Sequence, residues 1–296
     1  MALNEADLGT MANIGAQQTS TDTYATVKRA LESADAPYQG KDFDVFLQGS
    51  YGNDTNIFRE SDVDVVIRLN STFTYDDSAL SPVAQQLRAA AYGWATYSQA
   101  DFRRDVLQVL ANRFGDDATP CTKAVTIGAR GNRRKADVII ALEHRRYTSF
   151  GGLLGEMYVK GISFAKSDGT LVMNYPTQHR GNLIAKNQRT NEWFKHIIRI
   201  FKNARERMLR EGRIQAGVAP SYYIECLLYN VPDNCFGTSY VDSMVNAINW
   251  LLASNRHAFT CANEQYPLFD GNPDVTWTTH NGDEFLHGLV SLWNDS

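Results

Sequence analysis

The sequence predicts an α+β protein, a mixed sheet flanked by helices and followed by a helical lobe. Between residues 43 and 175, outside a helical stretch at 79–114, apolar residues fall in short runs bounded by turn signals, alternating most clearly over 121–150, as half-buried strands do. After Pro176 the apolar spacing changes to three and four, the spacing of helices. Runs of strands followed by runs of helices are the pattern of α+β folds. A chain of 296 residues, 43% hydrophobic and 21% charged, has the composition of a globular protein with a sizeable core. Two interlocked lobes are expected, 1–176 and 177–296, forming one bilobal unit.

The elements follow in order. Residues 21–34 (TDTYATVKRALESA) read as a helix capped near Thr21 or Asp22. Residues 43–48 (FDVFLQ) are a first core strand, 51–61 a polar loop, and 62–69 (DVDVVIRL) a second strand. Residues 79–114 carry helical material, with a Tyr92, Trp94, Tyr97 stripe read as packing. TKAVTIG and ADVIIALEHRRYTSF read as strands joined by the basic turn RGNRRK, Arg130 to Lys135. YVKGISFAK and TLVMNYP form a hairpin around Ser167-Asp168-Gly169. TQHRGNLIAKNQRT is a polar connector with a short helix. Thr190 caps a long helix that ends at Gly212, with Lys195 and Lys202 on one face. Helices at 219–230, 239–256 and 282–294 complete the lobe. The six histidines are scattered and read as surface or core residues.

The chemistry-bearing stretch is LQGSYGNDTNIFRESDVDVVIRL, residues 47–69. Residues two apart on a strand share a face, so Asp62 and Asp64 project together while Val63 and Val65 point into a core. An isolated Asp-x-Asp is ordinarily a solvated strand edge. Here it opens a strand apolar enough to be buried, and Gly49-Ser50 stands just upstream with backbone N–H groups and a hydroxyl suited to phosphate. Paired carboxylates repel, and a hard cation such as Mg²⁺ or Mn²⁺ relieves them. Asp137, early in the strand ADVIIAL, adds a third acid on a neighbouring strand, as a two-cation site requires. Such a trio suits nucleotidyl transfer: two ions between the acids and a triphosphate, with Asp137 orienting the acceptor hydroxyl and helping to deprotonate it.

Composition excludes several rivals. A net charge of −4 gives no global basic field for long nucleic acid. Four cysteines without C-x-x-C spacing fit a reducing compartment rather than a zinc site or a disulfide framework. No signal peptide, membrane span, Walker loop or EF-hand is legible, so a cytoplasmic protein is expected.

The pattern GS…DVD…D resembles the polymerase-β-like nucleotidyltransferases. The wider set LQGSYGNDTNI…SDVDVV, YPTQHRGNLIAKNQRTN, FKHIIRIFKNARE and PSYYIECLLYNVP is similar to the bacterial cGAS/DncV-like nucleotidyltransferases, the CD-NTases of CBASS antiphage defence, closest to clade E. The resemblance covers about residues 40–240, and with the last helices nearly the whole chain. It implies a polymerase-β-like core plus a helical lobe with the active site in the cleft, and synthesis of a cyclic dinucleotide messenger from nucleoside triphosphates, ATP among them. Two Mg²⁺ ions, with Mn²⁺ as a substitute, would be held by Asp62, Asp64 and Asp137. Gln48, Gly49 and Ser50 take the phosphate-loop place, and Lys202 and Ser221 match positions that hold triphosphate. Tyr222 falls where an aromatic stacks on a base, its alternative being a core tyrosine. Asn182 lies where the family reads the base edge, compatible with uracil or adenine. The resemblance further implies a downstream effector reached through the product, no long nucleic-acid or membrane partner, and a monomer. The rivals are transfer to an RNA end, a small molecule or a protein, and a catalytically silent nucleotide-binding scaffold.

Overall fold

The computed structural model describes residues 3–15, 17–59 and 62–295. They fall into two compact units: a sheet unit, Gln18–Gln48 with Ser61–Pro176, and a helical unit, Met1–Gln17, Gly49–Glu60 and Thr177–Ser296. One junction between the two units falls at 176/177. The described residues of two segments expected in the first lobe, 1–17 and 49–60, instead group with the helices. The reason is local, since cations of the long helix hold the backbone of both segments, as set out below.

The sheet unit holds seven strands, β1 Phe43–Gln48, β2 Val63–Asp76, β3 Ala118–Pro120, β4 Val125–Ile127, β5 Ala136–Ser149, β6 Met157–Ala165 and β7 Leu171–Asn174. Their order is β1-β2-β5-β4-β3, with β6 also pairing β5 and β7 pairing β6. The β2–β5 pair is parallel and the others are antiparallel, which is the mixed sheet expected. β2 runs past the expected end at Leu69 because a register shift between Leu69 and Phe73 lets it resume pairing with β5. The hairpin β6–β7 forms as expected. Gly161 is needed there, because a Cβ would lie 2.6 Å from Asn174 O and 2.9 Å from the Tyr175 ring.

Among the described residues, α1 is Glu5–Met11 in the helical unit, and the sheet unit carries α2 Gln18–Leu31. The latter starts three residues before the expected cap. It packs on β1 and β2 through the buried Val27 and Leu31. The helical unit's α3 follows at Gly49–Asn53, where a loop was expected; residues 60 and 61 of that loop lie outside the described residues. The helical stretch 79–114 is two helices, α4 Pro82–Ala91 and α5 Gln99–Phe114. Ser98 starts the second with a reciprocal capping box to Asp101.

In the helical unit, α6 Pro176–Arg189 is a full helix where a polar connector with only a short helix was expected. Its buried face is His179, Leu183, Lys186 and Asn187, so helical spacing is present but carried mostly by polar residues, which an apolar-periodicity reading passes over. Next come α7 Trp193–Arg210, α8 Ser221–Asn230, α9 Tyr240–Ala253 and α10 Thr279–Asn294. The cap position of α7 is Glu192, at φ 70° and without a side-chain cap bond, rather than Thr190 as expected; Thr190 lies two residues upstream, where its Oγ1 still accepts from Phe194 N at 3.2 Å. Gly212, at φ 69°, closes the helix. Phe194, Ile197, Ile198, Phe201, Ala204 and Met208 of α7 are the spine of the unit's core. No helix of the described residues is long and apolar enough to cross a membrane.

Candidate functional site

The sheet unit aligns the acids through its register. Gln48 of β1 pairs with Asp64 of β2, Asp64 with Asp137 of β5, and Asp137 with Thr126 of β4. Directly paired residues share a face, so these four side chains form one row across four strands. Asp62 lies two residues before Asp64, and Lys135 two before Asp137, so both join the same face one row on. On the opposite face, Val63, Val65 and Val138 are fully buried and hold the strand ends in the core.

The contacts agree with the register. Thr126 Oγ1 donates to Asp137 Oδ1 at 2.6 Å. Lys135 Nζ lies 2.7 Å from Asp62 Oδ2 and 3.5 Å from Asp137 Oδ2. The hydrogen bond to Asp62, against a smaller loss from burial, holds the Lys135 ammonium above the ordinary lysine value. Gln48 Oε1 is buried and has no hydrogen-bond partner among the described residues. The described residues contain no group of three His, Cys, Asp or Glu side chains already gathered closely enough to grip a metal ion. The donor set still fits a hard divalent cation: carboxylate oxygens from two strands on one face, with an ammonium already held between two of them.

In the helical unit, Gly49 and Ser50 open α3. Gly49 has φ 69°, a conformation that strains any side chain. The segment after α3 is tied to α7. Lys195 Nζ donates to Asp54 Oδ2 at 3.0 Å, and Arg199 to Asp54 O at 2.7 Å. Arg199 also donates to Ala12 O, and Asn203 to Met11 O, which anchors the N-terminal segment. Lys195 and Lys202 therefore share a face as expected, but it is a buried face, not a solvated one.

Lys202 is 0% exposed and donates to Thr55 O at 3.1 Å and to Glu225 Oε1 at 2.9 Å. Glu225 is a hub: it also accepts from Asn53 Nδ2 at 3.0 Å and Thr55 Oγ1, and its Oε2 lies 2.7 Å from His179 Nε2. Burial pushes this carboxyl up, but Lys202, His179 and Thr55 outweigh burial and hold it well below the usual carboxylate range.

The remaining expected residues lie in the same unit. Ser221, half-buried at the start of α8, accepts from Arg205 at 2.9 Å. Tyr222 stacks on His179, with centroids 4.9 Å apart and planes at 22°. Its hydroxyl accepts from Asn263 Nδ2 at 3.1 Å, and burial pushes it far up. Asn182 Nδ2 donates to Ala262 O at 2.8 Å. Thus Asn182 and Tyr222 both bond to the adjoining residues Ala262 and Asn263, while Lys202 meets the chain just past Gly49-Ser50 through Thr55.

Sequence reasoning missed Thr126, Glu225 and His179. Thr126 had a signal, since it alternates with the buried Val125 and Ile127 and must face the other way. Glu225 had one too: a lone acid among apolar residues of a helix needs a partner.

Residues 181–294 match the family described as the cGAS/DncV-like nucleotidyltransferase C-terminal helical domain. A "Cyclic UMP-AMP synthase" from Rhodothermus marinus is 37% identical over 99% of this chain and 98% of its own length. "Cyclic nucleotide synthase CdnE01" of Staphylococcus haemolyticus is 36% identical over 95% of each chain. The solved structure of the Rhodothermus marinus CdnE c-UMP-AMP synthase with Apcpp and Upnpp superposes with a TM-score of 0.89, at 35% identity, covering 99% of this chain and 97% of that one.

Proposed function

Because the chain belongs to the cGAS/DncV-like nucleotidyltransferases, on the clade E branch of CdnE enzymes, we propose that it joins two nucleoside triphosphates into a cyclic dinucleotide containing uridine, adenosine or both. The observation that carries this is the acid row, with Asp64 and Asp137 paired in register and Asp62 on the same face. Family membership makes the chain a nucleotidyltransferase; the acceptor, the bases and the role in antiphage defence through a downstream effector are our proposal.

Asp62, Asp64 and Asp137 would hold up to two Mg²⁺ ions, with Mn²⁺ as a substitute. Such ions, when bound, lower the pKa of the attacking ribose hydroxyl and neutralise the pyrophosphate that leaves. Asp137 takes the base role. Thr126 binds its Oδ1 and Lys135 Nζ stands 3.5 Å from its Oδ2, which holds the carboxylate in one orientation rather than letting it rotate. Removing that donor while keeping the side-chain shape tests this. Thr126→Val is expected to lower kcat roughly fivefold, the equivalent of one hydrogen bond of about 1 kcal/mol, with KM for the triphosphate little changed in steady-state assays. An unchanged kcat removes Thr126 from the reading.

On the nucleotide side, Ser221 is half-exposed at a helix start and suits a phosphate oxygen. Gly49 and Ser50 offer backbone N–H groups and a hydroxyl to the same group. Lys202 is enclosed, so its part is indirect, fixing through Thr55 the segment that follows the Gly-Ser pair. The ring of Tyr222, held against His179, would be the aromatic that stacks on a base. With its Nδ2 committed to Ala262, Asn182 presents Oδ1, an acceptor for uracil N3–H or adenine N6–H. The Rhodothermus marinus relative carries both bases in its name, which supports the same pair here.

Purified protein incubated with Mg²⁺ and labelled ATP, CTP, GTP and UTP, singly and in pairs, is expected to yield a phosphatase-resistant product whose mass is that of a cyclic dinucleotide. The largest yield is expected with UTP and ATP. Label transferred only to added RNA, or a product fully digested by phosphatase, would overturn the proposal.

A further inference from the structure

We propose that Lys135 is an internal counter-cation of the acid trio, a positioning residue that a divalent ion must displace. This rests on the reading of Asp62, Asp64 and Asp137 as metal ligands. The Lys135 ammonium is 2.7 Å from Asp62 Oδ2 and 3.5 Å from Asp137 Oδ2. A Mg²⁺ or Mn²⁺ ion on either oxygen would sit about 2.1 Å from it, within a few ångströms of Nζ. Two cations cannot share that space, so one excludes the other.

The backbone supports the assignment independently of that contact. Lys135 is two residues before Asp137 and directly precedes β5, and Val63 N donates to its carbonyl at 3.0 Å, so it sits one position beyond the Val63–Ala136 pair, on the side of Asp62. The chain thus places one positive group in a square with three negative ones. It does so on a side chain 42% exposed, whose flexible stem lets the ammonium leave for solvent without unfolding anything. The device keeps the carboxylates from repelling one another before the substrate arrives. It also disfavours a bare cation relative to one that brings phosphate charge with it, since the triphosphate then attracts the displaced ammonium.

The test measures Mn²⁺ binding to the full chain without nucleotide, by electron paramagnetic resonance of the free ion. Lys135→Gln is expected to bind Mn²⁺ about fivefold more tightly than wild type, the effect of removing one competing half-exposed ion pair. Lys135→Arg, which keeps the charge, is expected to stay within about twofold of wild type. Unchanged or weaker binding by Lys135→Gln overturns the inference, as does equal tightening by Lys135→Arg. The reading beneath it fails separately: if Asp64→Asn leaves Mn²⁺ binding intact in wild type and in Lys135→Gln alike, the ion is not on the acids at all.

Discussion

Replacing Asp62 and Asp64 together by asparagine is expected to lower cyclic-product formation by at least about 10³-fold, because under the proposed reading these acids would hold ions that supply several kcal/mol of charge stabilisation. The fold should survive. Both side chains are half-exposed at a strand end, and the apolar residues beside them that anchor β2, Val63 and Val65, are untouched. The ion pair lost with Lys135 joins two side chains each 42% exposed and is worth little to stability, so the melting temperature is expected to stay within a few degrees of wild type. Product chromatography and a thermal melt on one preparation decide the matter. A double variant that still makes product at a tenth of the wild-type rate would mean that the acids do not hold the metal ions.

The second large effect is on stability. Glu225→Ala is expected to destabilise the chain by about 3–5 kcal/mol, the usual consequence of leaving a buried partner charge unpaired. Here the stranded group is Lys202, fully enclosed, together with the donors of Asn53 and Thr55. Urea unfolding measures it. Glu225→Leu combined with Lys202→Met removes both charges and is expected to recover much of the loss; a double variant no better than Glu225→Ala would show that the pairing is not what matters.

The same hub sets an acid limit. A carboxyl whose folded value is depressed binds fewer protons folded than unfolded, so its contribution is complete above the unfolded value of about 4.3 and fades as pH falls below it. Wild type is therefore expected to lose stability steeply below about pH 4, and the Glu225→Leu, Lys202→Met variant less so, in urea midpoints taken from pH 6 to pH 3.

Which features were legible in the sequence follows from their physics. Strands with buried apolar faces were placed well, because Val63, Val65 and Val138 alternate with the residues that matter. The alignment of Asp64 with Asp137 could be inferred only as two acids on neighbouring strands; their direct pairing depends on register, which no local pattern states. Only a short helix was legible within 176–189 because its buried stripe holds His179, Lys186 and Asn187, residues that count as solvent-facing until their partners are known. Lys202 was read as a phosphate ligand from its place on the long helix. Its enclosure depends on Glu225, distant in the sequence, and on the 53–56 segment, distant again. The grouping of 49–60 with the helices was invisible for the same reason.

The row of paired side chains has a consequence for tolerance to length change. An extra residue in the connection 129–134 would be taken up at the surface, where Gly131 already turns the chain at φ 59°. An extra residue between Lys135 and Asp137 would slide the carboxylate half a pleat, handing its place to a neighbour that faces the other way. Two insertion variants, identical in composition and a few positions apart, should therefore fold alike and divide cleanly, one making cyclic product and one making none.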